Sequence, residues 1–219
     1  MQIGILGATG PAGSGLAARL ASVGFDVVVG SRSKYRALEV RDTLVERWPD
    51  HDLTITAADN QGAAAADVVV IATPWDAAGS TAAGVADRLR GKVVISMANA
   101  LAKVGHEFQP LVPPRGSVAA SVQAAVPHSL VAAALHHVPA KELGHLGEPV
   151  ESDVLVCSDH PEATSTVIEI VSRIPDLRPL DAGELSNAAP IEAFAAVLLQ
   201  LNVRYKTRVA VRFTGLHDL

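Results

Sequence analysis

Aromatic side chains are scarce in this chain. Phe, Trp and Tyr make up only 4% of its 219 residues, whereas 49% are hydrophobic, so a core must be assembled from Ala, Val, Leu and Ile. Cysteine is scarcer still: the single Cys157 excludes an internal disulfide framework and any multi-cysteine metal site. No run is apolar for the roughly 20 residues a membrane-spanning helix needs. The short apolar start leads directly into a glycine turn, unlike a secretory leader. An excess of basic charge is also missing. A net charge of -5 gives little means of neutralising nucleic-acid phosphates. The expectation is a cytoplasmic protein without a membrane or nucleic-acid partner. His51, His106, His128, His136, His137, His145, His160 and His217 show no HExxH or similar spacing, so no metal is expected. No serine sits in a G-x-S-x-G elbow. Asp181 and Glu184 read first as turn and helix-start residues.

What the chain does have is concentrated in its first 36 residues. An apolar run over residues 1–6 is followed by Gly7-Ala8-Thr9-Gly10-Pro11-Ala12-Gly13, and a second run over 25–29 ends in Gly30-Ser31-Arg32. This spells strand, glycine turn, helix and strand, the opening unit of a dinucleotide-binding fold. Pro11 fits the first turn of the helix. Glycines let the backbone approach a pyrophosphate, and the helix start offers free N–H groups and its positive dipole end. A site for NAD would place an acid after the second strand to hold the ribose 2′-hydroxyl. Here Ser31 and Arg32 stand there, with Lys34 and Arg36 close behind, which suits a 2′-phosphate. NADP is the cofactor these residues point to.

Strand-like and helix-like segments keep alternating. Strands are predicted over 53–57, 67–72, 92–96, 130–135, 154–158, 177–180 and 209–213. Helices are predicted over 38–48, 61–66, 76–89, 117–126, 161–174 and 184–205. The last helix carries Phe194, Leu198, Leu201 and Tyr205 on one stripe, and Pro190 should bend it or fix its first turn. The run at 67–72 is continuously apolar, as in a parallel strand buried on both faces. Residues 97–116 carry Pro110, Pro113 and Pro114 and read as a long connection, a candidate active-site loop. The fold class is α/β: a Rossmann-type doubly wound parallel sheet over residues 1–140 that binds NADP. A smaller C-terminal α/β portion, 141–219, packs against it.

Two further clusters could carry chemistry. Thr73-Pro74-Trp75 ends a predicted parallel strand, where ligands bind in open sheets. Trp75 is either a wall beside the nicotinamide or a packing tryptophan, and the sequence leaves both open. His136-His137-Val138-Pro139-Ala140 follows another predicted strand. Neighbouring side chains on extended backbone point opposite ways, so one imidazole can face a cleft, either to bond a polar ring or as a loop residue. Proton-transfer groups are otherwise few, and the nearest candidate lysine, Lys141, lies in a loop. Ketone reduction needs a general acid, whereas hydride exchange between two ring cofactors needs mainly stacking and orientation.

Over nearly its whole length the chain resembles the NADPH-dependent reductases of coenzyme F420, an 8-hydroxy-5-deazaflavin. The resemblance rests on the Gly-Ala-Thr-Gly turn, Val28-Val29-Gly30-Ser31-Arg32, Pro74-Trp75, and Ala134-Leu135-His136 with Val138-Pro139-Ala140. It continues through Val156-Cys157 and Leu177-Arg178-Pro179-Leu180-Asp181-Ala182-Gly183 to Leu185-Ser186-Asn187. It implies reversible hydride transfer between NADP(H) and the deazaflavin in a cytoplasmic homodimer, with no metal and no acid–base residue. By this resemblance Thr9, Gly10, Pro11 and Ala12 cradle the pyrophosphate, and Ser31, Arg32 and Arg36 hold the 2′-phosphate. Trp75, Gly79 and Leu101 line the rest of the NADP site, and Ala140 lies near the nicotinamide. His136, Val138 and Val209 meet the deazaflavin, His136 as an orienting residue. The chain departs from the family pattern at Ser96-Met97-Ala98-Asn99-Ala100, where the family has a proline-containing stretch, and at His137, where it has Thr. A reductase of a small carbonyl or imine, and a non-enzymatic NADPH sensor, are the rival readings.

Overall fold

The alternating apolar runs assemble into one eight-stranded sheet covered by helices on both faces. The computed structural model describes residues 1–216, so His217 and the end of the 141–219 portion lie outside the described residues. In chain order the strands are β1 (Gln2–Leu6), β2 (Asp26–Ser31), β3 (Ile55–Asp59), β4 (Val68–Ile71), β5 (Val93–Ser96), β6 (Leu101–Val104), β7 (Glu107–Pro110), β8 (Leu130–Ala133), β9 (Ser152–Ser158) and β10 (Leu177–Asp181). The large sheet has the order β10-β9-β8-β5-β4-β1-β2-β3, while β6 and β7 form a separate antiparallel hairpin. Every neighbouring pair in the large sheet is parallel except β8 and β9. Strands β9 and β10, which follow residue 140, extend this same sheet at one edge. Strand order reverses between β1 and β4, the switch point at which a crevice opens beyond the carboxyl ends of an open α/β sheet.

The helices are α1 (Pro11–Ser22), α2 (Lys34–Arg47), α3 (Asn60–Ala63), α4 (Trp75–Ala83), α5 (Ala86–Leu89), α6 (Val118–Ala125), α7 (Ala140–Leu143), α8 (Pro161–Ser172) and α9 (Ala188–Tyr205). Side chains alternate across the pleat, so β4 feeds two cores. Val68 and Val70 join Ile3, Ile5, Leu16 and Leu20 of β1 and α1, with Val167 and Ile170 of α8. Val69 and Ile71 join Leu6 and Val94, with Ala78, Ala82 and Val122 of α4 and α6. Phe25 is the only aromatic buried among the described residues, as the composition requires. No helix of the described residues is long and apolar enough to cross a membrane.

The structure departs from the sequence pattern in several places, among them α7, a short helix that holds the Lys141 read as a loop residue. The helix predicted over 76–89 breaks into α4 and α5 at Gly84, whose carbonyl accepts from Gln61 Nε2 at 2.7 Å. The connection at 97–116 contains the β6–β7 hairpin, turned through Gly105 at φ +61; Pro110 closes its last pair, a place an edge strand tolerates. Strand β8 stops at Ala133, and Leu135 takes φ +65. Helix α9 starts at Ala188 after a 3₁₀ turn over Leu185–Asn187. Its buried face carries Ile191, Ala195 and Leu198, whereas Phe194 and Tyr205 are exposed. That helix is apolar on almost every side, so periodicity alone selects no face. Finally, 209–213 forms no strand. Instead it is held by the Asp153 carboxylate and by one backbone bond, Asp153 N to Val211 O at 2.6 Å.

Candidate functional site

The crevice is a cavity of about 990 Å³ at the carboxyl ends of β1, β2, β3 and β4. Its floor is the β1–α1 turn. Gly7 sits at φ +86, and a Cβ there would lie 2.7 Å from the Thr73 backbone nitrogen, so only glycine lets the two bordering loops touch. Gly10 is different. A Cβ on it would meet only Gly7 O, at 3.7 Å, so the protein's own packing leaves the space above it open. It is the extended N-cap of α1, with Pro11 next, and the first N–H groups of a helix lack intrahelical partners. Open space, a helix start and its dipole make an anion cradle.

One wall comes from the end of β2. Ser31 is buried, its Oγ accepting from Ser33 N at 3.3 Å, while Arg32 and Arg36 are exposed at the cavity's edge. Asp59, which ends β3 beside Ser31, is the nearest acid, and its Oδ1 is engaged by Gly62 N at 2.8 Å to cap α3. The opposite wall is α4, through Ala77, Ser80 and Thr81. Of the predicted residues, Thr9, Gly10, Ser31, Arg32 and Arg36 line this cavity, and Pro11 and Ala12 open the adjoining helix. Trp75 is half-buried at the start of α4 and packs on the second core. Gly79 faces Ser121 of α6, across α4 from the cavity. Leu101 is half-buried in the hairpin, paired with Pro110. Asn60 and Gln61 also line the cavity, although their sequence showed nothing beyond a helix start.

A second group lies beyond the ends of β5 and β8. His136 and His137 are both buried, at 5% exposure each. His137 Nε2 meets Asp153 O at 2.7 Å, and Asn99 Nδ2 donates to His136 O at 2.7 Å. The His136 ring faces the Met97 and Ala98 backbone, and neither of its nitrogens has a hydrogen-bond partner. Burial, reinforced by His137, pushes its pKa down to about 3, so the ring is neutral at physiological pH. Thr73 Oγ1, Ser96 Oγ and Asn99 Oδ1 are buried without partners as well. Orphaned polar atoms of this kind need a ligand or ordered water, and these all lie at the carboxyl ends of β4, β5 and β8. Val138 is buried nearby, and Ala140 starts α7. Val209 is half-buried, its N–H bound to Asn202 Oδ1 at 2.6 Å. Among the described residues no three His, Cys, Asp or Glu side chains come together as a metal site.

Fold and crevice define a Rossmann-class nucleotide-binding α/β protein. A family model described as NADP oxidoreductase, coenzyme F420-dependent, matches residues 2–100. The F420-dependent NADP reductase of Methanocaldococcus jannaschii is 36% identical over 99% of both chains. That of Methanothermobacter thermautotrophicus is 34% identical over 100% of this chain and 97% of its own. A crystal structure from Arthrobacter sp. FB24, described as a candidate F420-dependent NADP reductase, superposes with a TM-score of 0.80 at 24% identity. It covers 97% of this chain and 100% of its own. The chain belongs to the family of F420-dependent NADP reductases.

Proposed function

We propose that the protein is an oxidoreductase that transfers a hydride reversibly between NADP(H) and the deazaflavin coenzyme F420. The observation that carries this reading is the full-length match to F420-dependent NADP reductases, which spans both the crevice and the histidine loop. When bound, the two coenzymes supply the redox chemistry: the hydride leaves nicotinamide C4 and arrives at deazaflavin C5.

The open cradle above Gly10 and the two exposed arginines fit a 2′-phosphorylated dinucleotide. Thr9, Gly10, Pro11 and Ala12 hold the pyrophosphate on the N-terminus of α1. Ser31, Arg32 and Arg36 hold the 2′-phosphate, and the absence of a carboxylate at the end of β2 favours NADP over NAD. Trp75 and Leu101 complete the NADP site and Ala140 lies near its nicotinamide, whereas Gly79, which faces α6, borders the site only through the backbone of α4. His136, Val138 and Val209 meet the deazaflavin, and His136, held neutral, orients rather than transfers a proton. The 141–219 portion contributes to the deazaflavin site and to the contacts of a cytoplasmic homodimer. The test is anaerobic mixing of the protein with NADPH and oxidised deazaflavin while the deazaflavin absorbance is followed. Bleaching of that band supports the reading. NADPH oxidation only with a small carbonyl or imine would assign a different reductase, and binding without turnover would assign a sensor.

A further inference from the structure

Arg19 lies in the middle of α1 and is only 4% exposed. Its guanidinium has no carboxylate partner among the described residues; its Nε and Nη2 donate to four backbone carbonyls, with one Nη2 hydrogen shared between two of them. Nε reaches Leu143 O at 3.0 Å, and Nη2 reaches Glu142 O at 3.1 Å, His145 O at 2.7 Å and Glu148 O at 3.0 Å. The fork thus gathers the end of α7 and the turn after it. One helical turn earlier, on the same face, α1 touches α7 backbone to backbone: a Cβ on Gly15 would lie 2.8 Å from Ala140 O and 3.2 Å from Gly144 Cα. The start of α1 is the anion cradle, ~7 Å along the helix axis from Gly15. The far side of α7 is tied on through Glu142 Oε1, which pairs with Arg208 Nη1 at 2.6 Å, next to Val209.

Resting on the proposed function, which puts the nicotinamide near Ala140, we infer that Arg19 is a positioning residue for hydride transfer. It locks the 140–148 turn onto the helix that holds the pyrophosphate and so fixes the nicotinamide end of the site relative to the phosphate end. Guanidinium geometry is what the role needs. A lysine also has three N–H groups, but they sit on one nitrogen at the end of a flexible stem and cannot reproduce a planar fork in which Nε serves Leu143 O while Nη2 serves the other three carbonyls.

The test compares NADPH with 2′-phospho-ADP-ribose, which carries every group except nicotinamide, in the wild type and in Arg19→Lys. The expected result is a Kd for 2′-phospho-ADP-ribose within about twofold of wild type, a roughly 10-fold weaker NADPH, and single-turnover hydride transfer slower by about 10- to 100-fold. Gly144→Ala is the milder second variant, since its Cβ would sit 3.0 Å from Gly15 Cα and shift α7 while leaving Arg19 in place. It should show the same split to a smaller degree. Equal weakening of both ligands would mark a merely structural role and overturn the inference, as would an unchanged ratio in both variants. A wild-type ratio near one would remove its premise and overturn it too. The binding ratio requires no deazaflavin, so failure of the wild type to reduce deazaflavin faults the proposed function separately.

Discussion

Replacing Arg32 by Ala should separate NADPH from NADH. Arg32 stands at the cavity edge, exposed, with no ion-pair partner among the described residues, and no carboxylate ends β2 to take its place with the other cofactor. Its only distinctive task is therefore the 2′-phosphate. A hydrogen bond to a charged group is worth about 1.5–3 kcal/mol, and solvent exposure places this one at the lower end. About 1.5 kcal/mol corresponds to a roughly 10-fold rise in Kd for NADPH. NADH, without the phosphate, should change less than about twofold on the same reasoning. Arg36 shares the phosphate, so Arg32→Ala/Arg36→Ala should lose more than either single variant without being strictly additive. Fluorescence titration of NADPH and NADH at low and high salt measures these changes. Screening should shrink the NADPH loss at high salt, because the contact is electrostatic and exposed. Equal weakening of the two cofactors would refute the reasoning.

Glu192, on α9, is buried and accepts from Val118 N at 2.8 Å and Ala119 N at 3.0 Å, capping α6. Burial outweighs those bonds and pushes its pKa up to about 7, above the unfolded value, so the folded state keeps a proton that the unfolded state releases. Stability should fall as pH rises from about 4.5 to 7 and level off above, by about 3 kcal/mol at most. Glu192→Gln should flatten that slope in urea melts across the window, and an unchanged slope would refute the assignment. Asp153 runs the opposite way. Its burial favours the neutral acid, but Arg178, Phe213 N and Arg212 hold the carboxyl down at about 2. The stability it contributes is complete above its unfolded pKa near 4 and is lost as pH falls through about 2. Asp153→Ala should cost about 2–3 kcal/mol, because the arginines left behind are partly hydrated, and should expose 208–216 to proteolysis. A segment as resistant as in the wild type would contradict this clamp.

How much was legible in the sequence follows from the range of the interactions. Strands β1, β2, β4 and β5 were readable because each is an apolar run of the kind a parallel sheet buries, and the half-exposed edge strand β3 through the β-branched Thr54, Ile55 and Thr56. The cavity's phosphate end was readable because Gly7, Gly10, Ser31 and Arg32 sit at fixed offsets from those strands. The β6–β7 hairpin was hidden by Pro110, and the break at Gly84 by the alanine-rich pattern around it. Arg19 and Asp153 carried no local signal at all. Arg19 bonds carbonyls more than 120 residues away, and Asp153 holds Arg212 and Phe213 across about 60 residues. Carbonyl partners leave no trace in side-chain spacing, so only the folded chain reveals them.

Direct hydride transfer between the two rings is tested, without reference to rate, by isotope transfer. NADPH deuterated at the transferable C4 position is mixed anaerobically with the protein and oxidised deazaflavin, and the reduced deazaflavin is examined by mass spectrometry and NMR. One deuterium per molecule is expected at C5, on one face, with none lost to water. Protium at C5 from solvent, or deazaflavin left oxidised while NADPH remains bound, would contradict direct transfer.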